Sequence, residues 1–89
     1  MAAIDVERIE GETHFRVRVT EPSGSTEHHV TLKRSDHERL APPGETPEAF
    51  LRRAFEFLLE REPKEAILSS FDVTVIARYF PEFEAKIRG

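Results

Sequence analysis

The 89-residue chain contains no cysteine. That absence excludes a disulfide framework, a thiol nucleophile and a thiolate metal site, so a core has to be held by packing alone. Long apolar runs are missing too, and no stretch approaches membrane-spanning length. The opening residues, "MAAIDVERIEG", have neither the basic start nor the apolar stretch of a signal peptide. The expectation is a cytoplasmic, bacterial-type protein with no membrane partner. A basic surplus is also absent. The 17 acidic and 13 basic residues give a net charge of −4, and residues 1–40 and 41–89 each carry −2. Neither half is a cationic arm, so nucleic-acid binding gets no electrostatic help. A chain of this length is expected to form one α+β domain over residues 1–89, near the size at which a single core becomes thin. A deep substrate cavity is not expected.

What is present is patterning. Three alternating segments, "IDVER", "HFRVRVT" and "EHHVTLK", are separated by "EGET" and "PSGS". Both connections carry the glycine that tight turns favour. The pattern predicts a three-stranded antiparallel β-meander at about residues 3–9, 13–20 and 26–33. Placing Val6 opposite Val17 sets Ile4 against Val19, Asp5 against Arg18 and Glu7 against Arg16. Extending the register by setting Val17 opposite Val30 brings Phe15 to Leu32, Arg18 to His29 and Arg16 to Thr31. Apolar residues then share one face and charged residues the other.

Helical signals follow. "SDHERLA" has capping-box spacing at Ser35 and Glu38, and "PPGE" ends that short helix. The long helix, about residues 47–62, opens with Thr46 as N-cap, Pro47 at the first helical position and Glu48 in the first turn. Its apolar residues, from Phe50 to Leu59, span about 200° of the wheel, roughly twice the stripe a surface helix needs. One face can cover the sheet while another packs elsewhere. Glu48 with Arg52, and Arg52 with Glu56, have i,i+4 spacing on the wet side. Short C-terminal helices are predicted at about 64–69, 72–80 and 82–88. The stretch "FDVTVIARYF" reads either as a strand or as a helix. Helix is favoured, because a strand would turn Ile76 and Phe80 to the polar face. A helix lines them up with Val73 and Ala77, and the stripe continues through Phe83 and Ile87. Ser69 or Ser70 is the expected N-cap, and Pro81 is the expected break.

Candidate chemistry is sparse. All four histidines fall in the first 40 residues, but His28 and His29 would point to opposite faces of a strand, so surface or sheet-edge histidines are expected rather than metal ligands. No nucleophile elbow, phosphate loop or metalloprotease motif is present. Neither catalysis nor a cofactor is expected. "PKEAILSSFDVTVIARYF" permits a DNA-binding alternative, a helix-turn-helix-like segment at residues 64–80. Its exposed face would carry Asp72, Thr74 and Arg78, too little positive charge for phosphate contacts. The favoured role is a small protein-interaction module, an accessory or regulatory subunit, with another protein as partner. The candidate surface is Phe71, Val75 and Tyr79 at i, i+4 and i+8, with Arg78 supplying a polar rim.

"FEFLLEREP" followed by "ILSSFDVTVIARYFPEFE" resembles the C-terminal signature of a group of small bacterial proteins of unknown function, over roughly residues 46–85. The resemblance implies a family element and transfers no activity. A meander followed by a helix is also similar, in topology alone, to small antitoxins with partial ribonuclease-H-like sheets.

Overall fold

A computed structural model describes residues 2–88 of the chain. Its first three strands are β1 (Ala3–Glu10), β2 (His14–Glu21) and β3 (Gly24–Thr31), joined as an antiparallel meander with β2 in the centre. Period-two alternation explains the two faces. Phe15, Val17 and Val19 are fully buried, whereas the alternate residue Arg18 is exposed on the other side. In the first hairpin Ile4 meets Val19, Asp5 meets Arg18, Val6 meets Val17 and Glu7 meets Arg16, as the pattern predicts. The ladder then slips at Ile9, an extra residue before Gly11, whose φ of +58° lies in the region that glycine enters without strain.

The second hairpin corrects the predicted register by two residues. Phe15 faces Val30, Val17 faces His28, Arg16 faces His29 and Arg18 faces Glu27. The cause is the turn: Glu21 pairs with Gly24, so only Pro22 and Ser23 form the connection rather than all of "PSGS". Gly24 takes φ +140°, a conformation that a side chain would strain. A slip of two preserves the faces, so His28, two residues from Val30, lies in the inner row in either register, and the slip only moves it from opposite Val19 to opposite Val17. His28 is therefore buried, 2% exposed, and not at the surface or sheet edge. The slip also gives Arg18 its ionic partner, Glu27 at 2.9 Å, while Arg16 binds Glu7.

Helix α1 spans Arg34–Leu40, and α2 spans Pro47–Leu59. Thr46 caps α2 by accepting from the Ala49 N–H at 3.1 Å. The proposed cap of α1 does not form: Lys33 occupies the N-cap position without a side-chain bond. Nor does Glu48 pair along the helix, since it reaches Arg8 on β1 at 3.6 Å. The wide apolar arc of α2 has the two uses its width implies. Phe50, Leu51, Ala54 and Phe55 are fully buried. Phe57 packs edge-to-face on Phe83, 5.0 Å between centroids, and on Phe80 at 6.0 Å.

The C-terminal third departs most from expectation. The helix predicted over 64–69 is a single 3-10 turn, Lys64–Ala66. The chain then straightens, and Ser70–Asp72 forms β4, parallel to β3. The sheet is thus a mixed four-stranded one in the order β1-β2-β3-β4, not a three-stranded meander. Beyond β4 come a 3-10 turn at Val73–Val75, helix α3 (Ile76–Tyr79) and helix α4 (Phe83–Arg88). Both readings of "FDVTVIARYF" are therefore partly realised, strand to Asp72 and helical turns after it. Asp72, not Ser69 or Ser70, is the cap, accepting from the Thr74 N–H at 2.9 Å and its hydroxyl at 2.8 Å. Of the predicted stripe, Val73, Ile76, Phe83 and Ile87 are buried, whereas Ala77 and Phe80 are only half-buried, and α3 ends before Pro81. Among the described residues no helix is long and apolar enough to cross a membrane. Residues 64–80 do not form two helices joined by a turn, so the helix-turn-helix geometry is absent.

Candidate functional site

Because its elements are three or four residues long, the segment from Lys64 to Tyr79 is held less by its own periodicity than by side chains of other elements. His28 Nδ1–H donates to the Leu68 carbonyl at 2.8 Å, and its Nε2 lies 2.8 Å from the Thr26 hydroxyl. The imidazole leans on the Phe55 ring at 5.3 Å, and Phe55 in turn meets Phe71 at 6.1 Å. Lys64 is 2% exposed, and its ammonium donates to Glu21 at 2.9 Å and the Ser23 hydroxyl at 3.2 Å, with Glu65 at 2.7 Å. The Glu21 hydrogen bond, then that of Glu65, holds the Lys64 ammonium above its usual range. Lys64 reciprocally lowers Glu65. These two hooks place the loop over the end of α2 and leave a groove beside it.

The groove has a volume of about 310 Å³, at the lower end for small-molecule sites and open to solvent. Leu58 and Ile67 form its floor, Phe71 and Val75 one wall, and Leu68 and Tyr79 its rim. Tyr79 is 66% exposed and Leu68 46%. The structure thus brings together three of the four residues singled out from sequence, though through a different geometry. Phe71 comes from β4, Val75 from a 3-10 turn and Tyr79 from α3, rather than from one continuous helix. Phe71 and Val75 are half-buried. Arg78 does not line the groove and is exposed next to Tyr79.

Sequence reasoning missed Leu68, Ile67 and Glu62. Leu68 lies in an extended stretch with no periodic partner, and its neighbour Ile67 is buried because the chain turns it inward. Glu62 carries the one formal charge in the lining. Chemically the groove can seat a bulky apolar side chain, with a carboxylate at one side. Among the described residues no group of three histidine, cysteine or carboxylate side chains is placed to hold a metal ion. Opposite the groove, Arg61 lies 3.5 Å from the Phe57 ring centroid and bonds Glu82 at 3.2 Å. Glu82's own backbone N–H, then Arg61, lowers that carboxyl. Comparison of the chain with protein-family models, curated proteins and solved structures found no match.

Proposed function

We propose that the protein is a small protein-interaction module, an accessory or regulatory subunit, whose partner surface is the groove walled by Phe71, Val75 and Tyr79. The observation that carries this reading is the exposure of Tyr79 and Leu68 around an apolar floor: two of the three exposed large hydrophobic side chains among the described residues, Ile9 on β1 being the third, stand at this one groove. Single exposed apolar residues are ordinary, whereas a concave apolar site rimmed by polar groups is the form that binding surfaces take. Tyrosine suits such a rim because it offers large contact area at low entropic cost and a hydroxyl for water or a partner.

The test is affinity capture from host extract with the wild-type chain and with Tyr79→Ala as baits, each checked by its melting temperature. The reading expects a wild-type-captured protein to be lost with Tyr79→Ala while the melting temperature holds. Equal capture by both baits would remove it.

A further inference from the structure

The sheet has one long free edge. β4 ends the sheet on one side with only three residues, whereas β1 pairs with β2 alone and offers eight. Alternate residues of such a strand aim their N–H and C=O groups outward. Among the described residues no backbone bond beyond the β1–β2 ladder reaches Ala3–Glu10. Proline and lysine, which blunt an edge, are missing from the strand, and its bulge falls near the end, at Ile9. The one charge of the inner row, Arg8, lies at that same end, where it stands over Phe15 and meets Glu48 at 3.6 Å. Two features beside the edge describe what it would take. On the core side a cleft of about 170 Å³ separates Ile4 and Asp5 from Arg52 and Glu56 of α2. On the other side the row of β1 holds carboxylates and no cation: Asp5, Glu7 and, past the bulge, Glu10 opposite His14. Glu7 is bound to Arg16, but Arg18, which faces Asp5, is bound to Glu27 instead. Asp5 therefore makes no ion pair among the described residues.

We propose that β1 accepts a further strand from a basic partner segment, an extended peptide in which every second residue is lysine or arginine and the residues between are small and apolar. Strand addition supplies hydrogen bonds along the unpaired backbone row, and alternate side chains supply the choice of sequence. Asp5 and Glu7 are two residues apart, the spacing at which side chains share one face of a strand. Cations at the same spacing on the added strand stand beside both, and the residue between them faces the core side, toward Ile4, half-buried Val6 and the cleft below α2. A second copy of β1 does not meet this requirement. In each two-fold register that pairs the middle of the strand and keeps Ile4 and Val6 on the core side, Asp5 meets Asp5, Asp5 meets Glu7, or Glu7 meets Glu7. Like charges directly opposite are unfavourable, and an acidic segment fails for the same reason. The site lies at the other edge of the sheet from β4, whose Phe71 walls the groove, so it neither uses the groove nor depends on it.

The probe is a short capped peptide of alternating lysine and valine, titrated into the isotope-labelled full chain while amide shifts are followed. Shifts should concentrate at residues 3–8, with a Kd of about 1 mM or tighter. Three further peptides separate the causes: glutamate in place of lysine, the same composition with its lysines in one block, and an N-methylated version that cannot complete the backbone ladder. Each should bind at least about tenfold more weakly. Asp5→Lys should narrow the gap between the lysine and glutamate peptides by about tenfold, with circular dichroism melts showing that the chain still folds. Should that variant fail to fold, the peptide series still answers. Tyr79→Ala should bind the peptide as wild type does. Absence of shifts at residues 3–8 overturns the proposal, and so does equal binding of the block peptide, which would mean charge attraction without strand pairing. Loss of binding in Tyr79→Ala overturns it by placing the peptide in the groove. Shifts at residues 3–8 on raising the concentration of the chain alone would make a second copy the occupant and overturn it as well.

Discussion

The half of the molecule built from β1, β2, β3 and α2 and the third that follows Leu59 solve the burial problem differently. In the first, strands of eight residues and a helix of thirteen repeat their apolar positions long enough to fill a core. Phe15, Val17, Val19 and Phe55 reach full burial through that repetition. In the second, no element exceeds six residues among those described, and side chains from elsewhere hold the path. His28 fixes the Leu68 carbonyl, Lys64 clips onto Glu21, and Arg53 donates to the Ile87 carbonyl at 2.7 Å. The difference shows why the exposed apolar surface lies where it does. A segment pinned at a few points satisfies its backbone there and leaves the side chains between, such as Leu68 and Tyr79, outside the core.

The sharpest way to break this division is Phe55→Ala, which removes the ring shared by both regions. It should cost about 3–5 kcal/mol, as large-to-small changes in a packed core do, read by denaturant unfolding. An equal loss from any rim residue would mean that the rim is core as well. Next is His28→Ala, expected to cost about 2–3 kcal/mol because it opens a void beside Phe55 and leaves the Leu68 carbonyl unpaired. Amide exchange should accelerate first at residues 67–72 and only later in β2. Uniform acceleration would show that the C-terminal third does not open by itself.

Third is Glu45, which receives both arms of Arg53 at 2.7 Å while His37 donates to its carbonyl at 2.8 Å. The Arg53 hydrogen bonds hold the Glu45 carboxyl below the usual carboxylate range. A folded pKa below the unfolded one means that this stability is present above the unfolded value and is lost as pH falls through the folded one. Glu45→Gln should therefore cost about 1 kcal/mol at neutral pH, with the difference from wild type shrinking in acid. Urea midpoints across the acid range check it. The smallest effect belongs to Tyr79→Ala, expected within about 0.5 kcal/mol in the monomer because the ring packs on little of its own chain. A larger monomer loss would place Tyr79 with the core rather than with the groove.

Much of the first region is legible in the sequence. Alternation fixes the faces of the strands, Thr46 and Pro47 mark the start of α2, and the arc from Phe50 to Leu59 announces a helix packed on both sides. The first hairpin's register also follows from side-chain matching. The second hairpin's does not, because a slip of two residues leaves every side chain on its own face. The choice there belongs to the turn, where Pro22 and Ser23 alone make the return and Gly24 adopts φ +140°. The candidate site is legible only as a set of residues that do not fit one stripe. Phe71, Val75 and Tyr79 stand out by spacing, but Leu68 and Glu62 have no local signal at all.

What the sequence alone determined is therefore the set of inward faces, since period and capping act within a few residues of each side chain. The tertiary structure decided the rest. Whether "FDVTVIARYF" began as strand or helix turned on β3, whose free edge takes the backbone of Phe71 into the sheet while His29 N–H bonds the Ser69 carbonyl at 2.8 Å. His28 faces inward by alternation with Val30, and it became an anchor only because the loop's carbonyl came to meet it. Short elements bury too little by themselves to choose a conformation, so partners distant in sequence choose it for them.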